Sequence, residues 1–441
     1  MEDAKSQVKT FLQSQGMYHE DISIDETCNV FLDEMDKGLT GQDGSLAMLP
    51  TYIETERDLP RNKPVIVLDA GGTNFRVATV CFKDAGQPDI ADFNVFPMPG
   101  IKQEVSKAEF FGAMADYAKD VLGKSDSVGF CFSYPIEMSP TKDGRVLYFS
   151  KEIKAEEVVG KMIGAGLNEA IVASTGAGAK QMVLLNDTVA TLLAGRGTSS
   201  GRQYDSYIGF ILGTGTNTAY VEHNSNITKA NDIDTAKSQI VNVESGGFGK
   251  APRGTIDEQF NAASANPGIN TFEKMISGAY LGPLAFMTIQ RAAEQGRLSP
   301  VARERLDALT EATTKDAGDF LAQPKDGNSP LSAVLANRQD DQADRDAEIM
   351  AAVIEAIIER AAKLTATNLS SAVLKSGKGA DPDRPVCIVA EGTTFYKLSN
   401  LKERVEFYLD QYLVAAKKRH YDIVEVENAT LIGAAIAGLT N

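Results

Sequence analysis

The sequence predicts two α/β domains facing each other across a cleft that holds a nucleotide. Three observations carry that prediction. Two β-hairpins, over 64–83 and 207–221, are each closed by a glycine-rich turn: Gly71-Gly72-Thr73-Asn74 in the first and Gly213-Thr214-Gly215-Thr216-Asn217 in the second. The turns stand about 140 residues apart, which reads as a duplicated architecture rather than a short-period repeat. No Gly-x-Gly-x-x-Gly follows a strand and no Walker-A spacing occurs, so the two commonest nucleotide folds are disfavoured.

Taken in order, residues 1–60 are mainly helical, with apolar spacing through Val8, Phe11 and Leu12 and again through Val30, Phe31 and Met35. In the first hairpin the apolar run Val65-Ile66-Val67-Leu68 ends in Asp69, and a second run, Val77-Ala78-Thr79-Val80, follows the turn. Adjacent glycines lack the Cβ atoms that shield backbone N–H groups, so this turn can wrap a phosphate. An aspartate at the strand end can hold a hydrated Mg²⁺ beside it. Taken alone, the segment also fits an ordinary hairpin with a Gly-Gly turn. A strand over Val128-Gly129-Phe130-Cys131-Phe132 runs into Ser133-Tyr134-Pro135, and Met182-Val183-Leu184-Leu185 runs into Asn186-Asp187-Thr188 and an Ala/Leu-rich helix. After the second hairpin, residues 347–374 form a long helix bearing Arg360 and Lys363. Polar loops over Pro324 to Asp344 and Ser376 to Pro385 flank it. The strand Val386-Cys387-Ile388-Val389-Ala390 leads into Glu391-Gly392-Thr393-Thr394, and the small-residue helix from Leu431 to Gly438 can pack close.

The 441 residues, 43% hydrophobic and 24% charged, suit a soluble globular protein of about two to three domains. Forty-four Lys and Arg against 60 Asp and Glu give a net charge of −16, which disfavours nucleic acid as a partner. An acidic protein that binds ATP must neutralise its phosphates locally, by amides and metal. Cys28, Cys81, Cys131 and Cys387 have no zinc spacing and read as reduced thiols, and His19, His223 and His420 are isolated. The first residues lack an apolar signal region and no run reaches transmembrane length, so a cytoplasmic protein without membrane contact is expected.

Further motifs fall in order along the chain: Glu34-Met35-Asp36-Lys37-Gly38-Leu39, Met48-Leu49-Pro50-Thr51-Tyr52, Phe132-Ser133-Tyr134-Pro135, Leu185-Asn186-Asp187-Thr188-Val189, Asn242-Val243-Glu244 with Gly247-Phe248-Gly249, and Glu273-Lys274-Met275-Ile276-Ser277-Gly278-Ala279-Tyr280-Leu281-Gly282. With the two turns, and nearly end to end, the chain resembles the eukaryotic-type hexokinases and glucokinases of the sugar-kinase, Hsp70 and actin superfamily. The resemblance implies an actin-like ATPase (ribonuclease H-like) fold with a small domain over 62–188 plus 428–441 and a large one over 1–61 plus 189–427. It implies ATP-dependent phosphorylation of a hexose on O6, glucose first, as the opening step of glycolysis, by a monomer or homodimer.

Role by role, the resemblance gives Asp187 as the general base, with Lys151 beside it as a second catalytic residue. Ser133, Ser150, Lys151, Asn186, Asn217 and Glu244 line the sugar. Asp69 anchors Mg²⁺, while Gly71, Gly72, Thr73 and Asn74, with Arg76, serve the transferred phosphate. Thr214 and Gly215 hold nucleotide phosphate, and Gly392, Thr393 and Thr394 border the adenosine pocket. The chemistry agrees, since phosphoryl transfer needs positioning and charge neutralisation, and a ring of hydroxyls needs Asn, Asp, Glu, Ser and Lys. Plainer readings stand beside these. Asp187 also fits a helix N-cap, Asn217 and Ser133 fit turn satisfaction, and Lys151 fits a solvated lysine.

The chain departs from the family at Phe149-Ser150-Lys151-Glu152-Ile153, where a Trp-Thr-Lys-Gly-Phe run is usual, at Ser245, and at Pro283, where a sugar-binding glutamate is expected. Pro283 therefore predicts weaker glucose binding and less discrimination at C1 and C2. A non-catalytic sugar and ATP sensor is the rival class; joint retention of Asp69, Gly71, Gly72, Lys151 and Asp187 argues against it.

Overall fold

The computed structural model describes residues 3–84, 87–149, 153–198, 201–231, 233–325, 327–338 and 340–441. Two sheets dominate it. In spatial order the five-stranded sheet runs Asp89–Pro97, Asn74–Cys81, Pro64–Gly71, Ser127–Phe132, Gln181–Leu185. The six-stranded sheet runs Leu49–Pro50, Ser238–Asn242, Thr216–His223, Ser206–Leu212, Val386–Glu391, Tyr421–Val424. Without the two-residue strand Leu49–Pro50, the two sheets match strand for strand. In each, the first strand of a glycine-turn hairpin is central, with two antiparallel strands on one side and two parallel strands on the other. The duplication expected from the two turns is thus a duplication of whole sheets.

The last strand of each sheet feeds a helix: Asp187–Thr198 after Gln181–Leu185, and Ala429–Thr440 after Tyr421–Val424. Both helices lie between the sheets. One buried cluster joins Val65, Val67 and Val80 of the first sheet to Ala219, Ile240 and Val389 of the second through Val189, Leu193, Ile432 and Ile436. The helices meet backbone to backbone. A Cβ on Gly433 would stand 1.8 Å from the Ala190 carbonyl oxygen, a distance only glycine permits. Beneath the same helix, a Cβ on Gly209 would stand 2.2 Å from the Thr188 carbonyl oxygen, so the strand Ser206–Leu212 presses against the first turn of Asp187–Thr198.

The larger half carries a helix of 36 residues, Asp341–Ser376, about 54 Å at 1.5 Å per residue. It starts earlier than the expected 347, inside the stretch read as loop to Asp344. Its first turn is acidic, with Asp341 and Asp344, and Asp340 caps it by accepting the Ala343 N–H at 2.8 Å. Such a turn suits the positive end of a helix but shows no apolar period. Pro330–Ala333, in the same stretch, is a short helix. Midway along the long helix Arg360 is wholly buried, and its Nη1 and Nη2 each lie 2.7 Å from the Asp257 carboxylate. Near the N-terminus the motif from Glu34 to Leu39 is structural. Burial opposes the charge of Glu34, but the Ser45 amide, Lys37 and the Ser45 hydroxyl outweigh it and hold the carboxyl at about 2.

Cys28, Cys81, Cys131 and Cys387 are free thiols, and no helix among the described residues is long and apolar enough to cross a membrane.

Overpacking a tight core contact typically costs about 1–3 kcal/mol. Gly433→Ala places a methyl on a backbone oxygen that cannot rotate away, so its cost is expected at or above the top of that range. Urea denaturation monitored by circular dichroism checks this; a variant as stable as the parent would show that the helix pair tolerates separation.

Candidate active site

In the first hairpin Gly71 pairs with Asn74 across a two-residue loop, and Gly72 takes φ +57°, as the first loop residue of such turns often requires of glycine. The turn faces open space: no atom lies within 4 Å of a Cβ built on Gly72. Among the described residues the Gly72 and Thr73 amides have no protein acceptor, while the Gly72 carbonyl accepts the Tyr134 hydroxyl at 2.5 Å. Asp69, buried one turn of the pleat behind, pairs in register with Arg76, whose Nη1 lies 2.7 Å from Asp69 Oδ2. Thr430, from the second helix between the sheets, reaches the same oxygen at 3.3 Å. Ser133 donates its N–H to the Ala70 carbonyl, and its hydroxyl is 3.4 Å from the Cβ position of Gly71.

Asp187 opens its helix beside this turn, but Asn186 takes the capping role that the sequence left open to Asp187. Asn186 Oδ1 accepts the Thr188 N–H at 2.9 Å, and its carbonyl accepts the Ala190 N–H. Asp187 Oδ1 also accepts from the Thr188 N–H, at 2.7 Å. Burial pushes the Asp187 carboxyl up, the Thr188 N–H and hydroxyl pull it down, the Asp69 charge raises it, and the Ser133 hydroxyl lowers it.

Opposite stands a polar nest at the strand ends of the second sheet. Asn217 Nδ2 donates to Asn242 Oδ1 at 2.7 Å and to Glu244 Oε1 at 3.2 Å, and Asn242 Nδ2 donates to Glu244 Oε1 at 2.7 Å. Asn217 Oδ1 accepts from the Thr218 and Ser245 N–H groups, so turn satisfaction consumes its oxygen and leaves its amide to aim Glu244. Glu244, at φ +56°, is exposed to solvent; desolvation by the protein around it, then Asp187 and Glu273, raise its carboxyl against the pull of Asn242 and Asn217. Glu273 is the member that sequence reasoning missed, although it sat in a quoted motif. Its Oε2 accepts the Thr216 N–H at 3.0 Å, and burial raises its carboxyl too.

Glu273 is a second carboxylate close enough to Glu244 for their charges to couple, and Pro283 lies in the first turn of the helix Leu281–Glu294. A proline costs little there because first-turn N–H groups have no helical acceptor. Its neighbour Gly282 instead donates to Thr314 Oγ1 at 2.7 Å.

The second turn is walled by backbone. Gly213 O accepts from the Gly278 N–H at 2.8 Å and Thr394 Oγ1 at 2.8 Å, and Thr214 O accepts from the Ala279 N–H at 3.0 Å. Among the described residues the Thr214 and Gly215 amides have no protein acceptor. From Thr214 a cavity of about 720 Å³ extends along Ala279, Thr314, Thr393, Thr394 and Lys397, large enough for a nucleoside. Gly392, at φ +118°, lets its loop touch Leu212 at the cavity's root. Ser150 and Lys151 lie outside the described residues.

Two family models, each described as Hexokinase, match residues 8–196 and 207–440. The chain belongs to the hexokinase family. Hexokinase-9 of Oryza sativa is 30% identical over 431 residues, 91% of this chain and 84% of the relative. Hexokinase-2 of Homo sapiens is 28% identical over 416 residues, 89% of this chain but 44% of the relative, so the chain spans about half of that protein. The solved hexokinase from Schistosoma mansoni complexed with glucose superposes with a TM-score of 0.76 at 25% identity, covering 99% of this chain and 98% of that one. The hexokinase fold is therefore the frame of this site.

Asp187, Glu244, Glu273 and Glu391, which ends the strand Val386–Glu391, all have raised carboxyls, Glu391 to about 7 from its ordinary 4.5. A raised acid is protonated in the folded protein at a pH where the unfolded chain has already lost the proton. Stability then falls as pH rises from the ordinary value to the folded one, for Glu391 from about 4.5 to about 7. The urea midpoint of the protein alone should drop between about pH 5 and about pH 7.5. Glu273→Gln, which removes one repelling charge and keeps an acceptor for Thr216, should raise the neutral midpoint; a variant no more stable than the parent at neutral pH would contradict this.

Proposed function

We propose that this hexokinase-family chain transfers the terminal phosphoryl group of ATP to the 6-hydroxyl of a hexose, with glucose as the leading acceptor. The observation that carries the reading is convergence: a half-buried carboxylate of raised proton affinity, Asp187, lies beside one amide-lined turn and close enough to Asp69 and Glu244 for their charges to couple, while a second such turn roots a nucleoside-sized cavity. The domain division is proposed as 62–188 plus 428–441 against 1–61 plus 189–427.

Asp187 takes the proton of the 6-hydroxyl as that oxygen forms a bond to the terminal phosphorus and the bridging bond to ADP breaks; the proton then passes to solvent. Gly72 and Thr73 offer N–H groups to the phosphoryl in flight, and Thr214 and Gly215 offer theirs to the phosphates left behind. Among the described residues no three His, Cys, Asp or Glu side chains converge as a metal cage, but a Mg²⁺ that travels with a nucleotide needs only one carboxylate besides phosphate and water, and Asp69 fits that need. Mg²⁺ held there would supply charge neutralisation. Asn186, Asn217, Glu244, Glu273 and Ser133 meet the sugar hydroxyls, joined by Ser150 and Lys151. Arg76 and Asn74 flank the phosphate turn, and Gly392, Thr393 and Thr394 border the adenosine. A cytoplasmic location and a monomer or homodimer complete the reading.

Asp187→Ala should lower kcat by about 10²–10⁴-fold with the fold retained, the scale of losing a general base; a coupled ATP-consumption assay over glucose, mannose, fructose and glucosamine reads it. Near-normal turnover in the variant would remove Asp187 from the mechanism, and no hexose-dependent turnover in the parent would favour a sensor. Glu273→Gln should act mainly through KM, weakening glucose by about ten- to a hundredfold, as losing a charge-assisted hydrogen bond does. An unchanged KM would take Glu273 out of the sugar site.

A further inference from the structure

Glu391 has no part in the chemistry above, yet it is tied to the helix that carries the base. It ends the strand Val386–Glu391 of the six-stranded sheet, and its half-buried side chain crosses to the helix Asp187–Thr198, where Oε2 lies 3.4 Å from Thr191 Oγ1. Thr191 is wholly buried, and its hydroxyl lies 2.9 Å from the carbonyl oxygen of Asp187.

A hydroxyl has one proton to give. The shorter distance commits the Thr191 proton to the Asp187 carbonyl, so Thr191 turns lone pairs toward Glu391. An ionised Glu391 would set acceptor against acceptor, whereas a protonated Glu391 completes a directed chain. The surroundings favour the proton. Burial comes first, and the charges that act on Glu391 are Asp187 on the helix, Asp69 on the first hairpin and Glu425 after the strand Tyr421–Val424, all of one sign; Thr191 opposes them only when its hydroxyl turns from the Asp187 carbonyl to donate to Glu391. The phenol of Tyr396, on the helix Thr393–Lys397, faces the same strand end and is committed to the Ala390 carbonyl at 3.1 Å.

We propose that Glu391 is a positioning residue for Asp187: its carboxylic O–H donates to Thr191, Thr191 donates to the Asp187 carbonyl, and the chain pins the first turn of the base-bearing helix to the strand end beside the nucleotide turn. Loss of the proton releases the Thr191 hydroxyl from that carbonyl and adds a negative charge next to Asp187 and the polyphosphate. Activity in the neutral range is thereby linked to a group that touches neither substrate. The link to activity rests on the kinase reading; the proton chain itself does not.

Infrared difference titration and steady-state kinetics on the full chain test the two parts separately. The parent should show a protonated-carboxyl band that titrates near neutrality and is missing in Glu391→Gln, whose amide donates to Thr191 at every pH. With hexose and Mg-ATP, kcat of the parent should fall about three- to tenfold relative to Glu391→Gln between about pH 6 and about pH 9, the scale of one hydrogen bond, with KM for the hexose unmoved. Thr191→Ser should keep this step, and Thr191→Val should lose it and be slower throughout. The absence of the band, or the same alkaline step in Glu391→Gln as in the parent, overturns the proposal. If the parent turns over no hexose, the kinase reading falls, and the band with its loss in Glu391→Gln still decides whether the chain carries the proton.

Discussion

The contact between the Ala190 carbonyl and Gly433 sets the separation of the two helices between the sheets, and that separation sets everything in the cleft. Asp187 is the first residue of one helix, and Thr430, in the first turn of the other, touches Asp69. Each helix follows the last strand of its own sheet, so each half delivers its final element into the shared waist. Interiors are close-packed and not continuously deformable, so an added carbon at this crossing is felt at the helix ends. Here those ends carry Asp187 and Thr430.

Much of this was legible because the signals are local. The hairpins announce themselves by apolar runs on either side of glycines that the turn geometry needs, and the Asn-Asp-Thr turn by its place after a buried strand. The edge strand Asp89–Pro97 gave no such signal. None of its positions is buried, and Phe93 and Val95 face water, so its apolar residues do not mark a core face. Glu273 escaped for another reason. It lies well along the chain from Glu244, and only folding brings Thr216, Glu244 and Glu273 together. The division of labour between Asn186 and Asp187 was equally hidden, since either could cap a helix, and atom positions alone assign the cap to Asn186.

An acidic protein that handles a polyanion has a difficulty its net charge makes plain. The answer here is to spend few cations. Arg76 is paired with Asp69, and under the proposed function the turns would meet phosphate with backbone N–H groups, which do not titrate. The carboxylates of the cleft are held at raised proton affinity by burial and by one another, which makes them stronger bases and better hydrogen-bond partners for hydroxyls than solvated acids are. The cost falls on the stability of the empty site rather than on its selectivity.

The helix Ala429–Thr440 also dictates how the chain comes to be folded. It covers the inner face of the five-stranded sheet, whose strands were complete by residue 185, and its contact with Asp69 spans 361 residues of sequence. During synthesis that sheet must wait, one face bare, for nearly the whole of the second half to emerge. Long-range closure of this kind is slow, and a waiting apolar face is open to wrong partners. The first half of this chain is thus not a closed unit by itself: the inner face of its sheet is covered only once the last helix is in place.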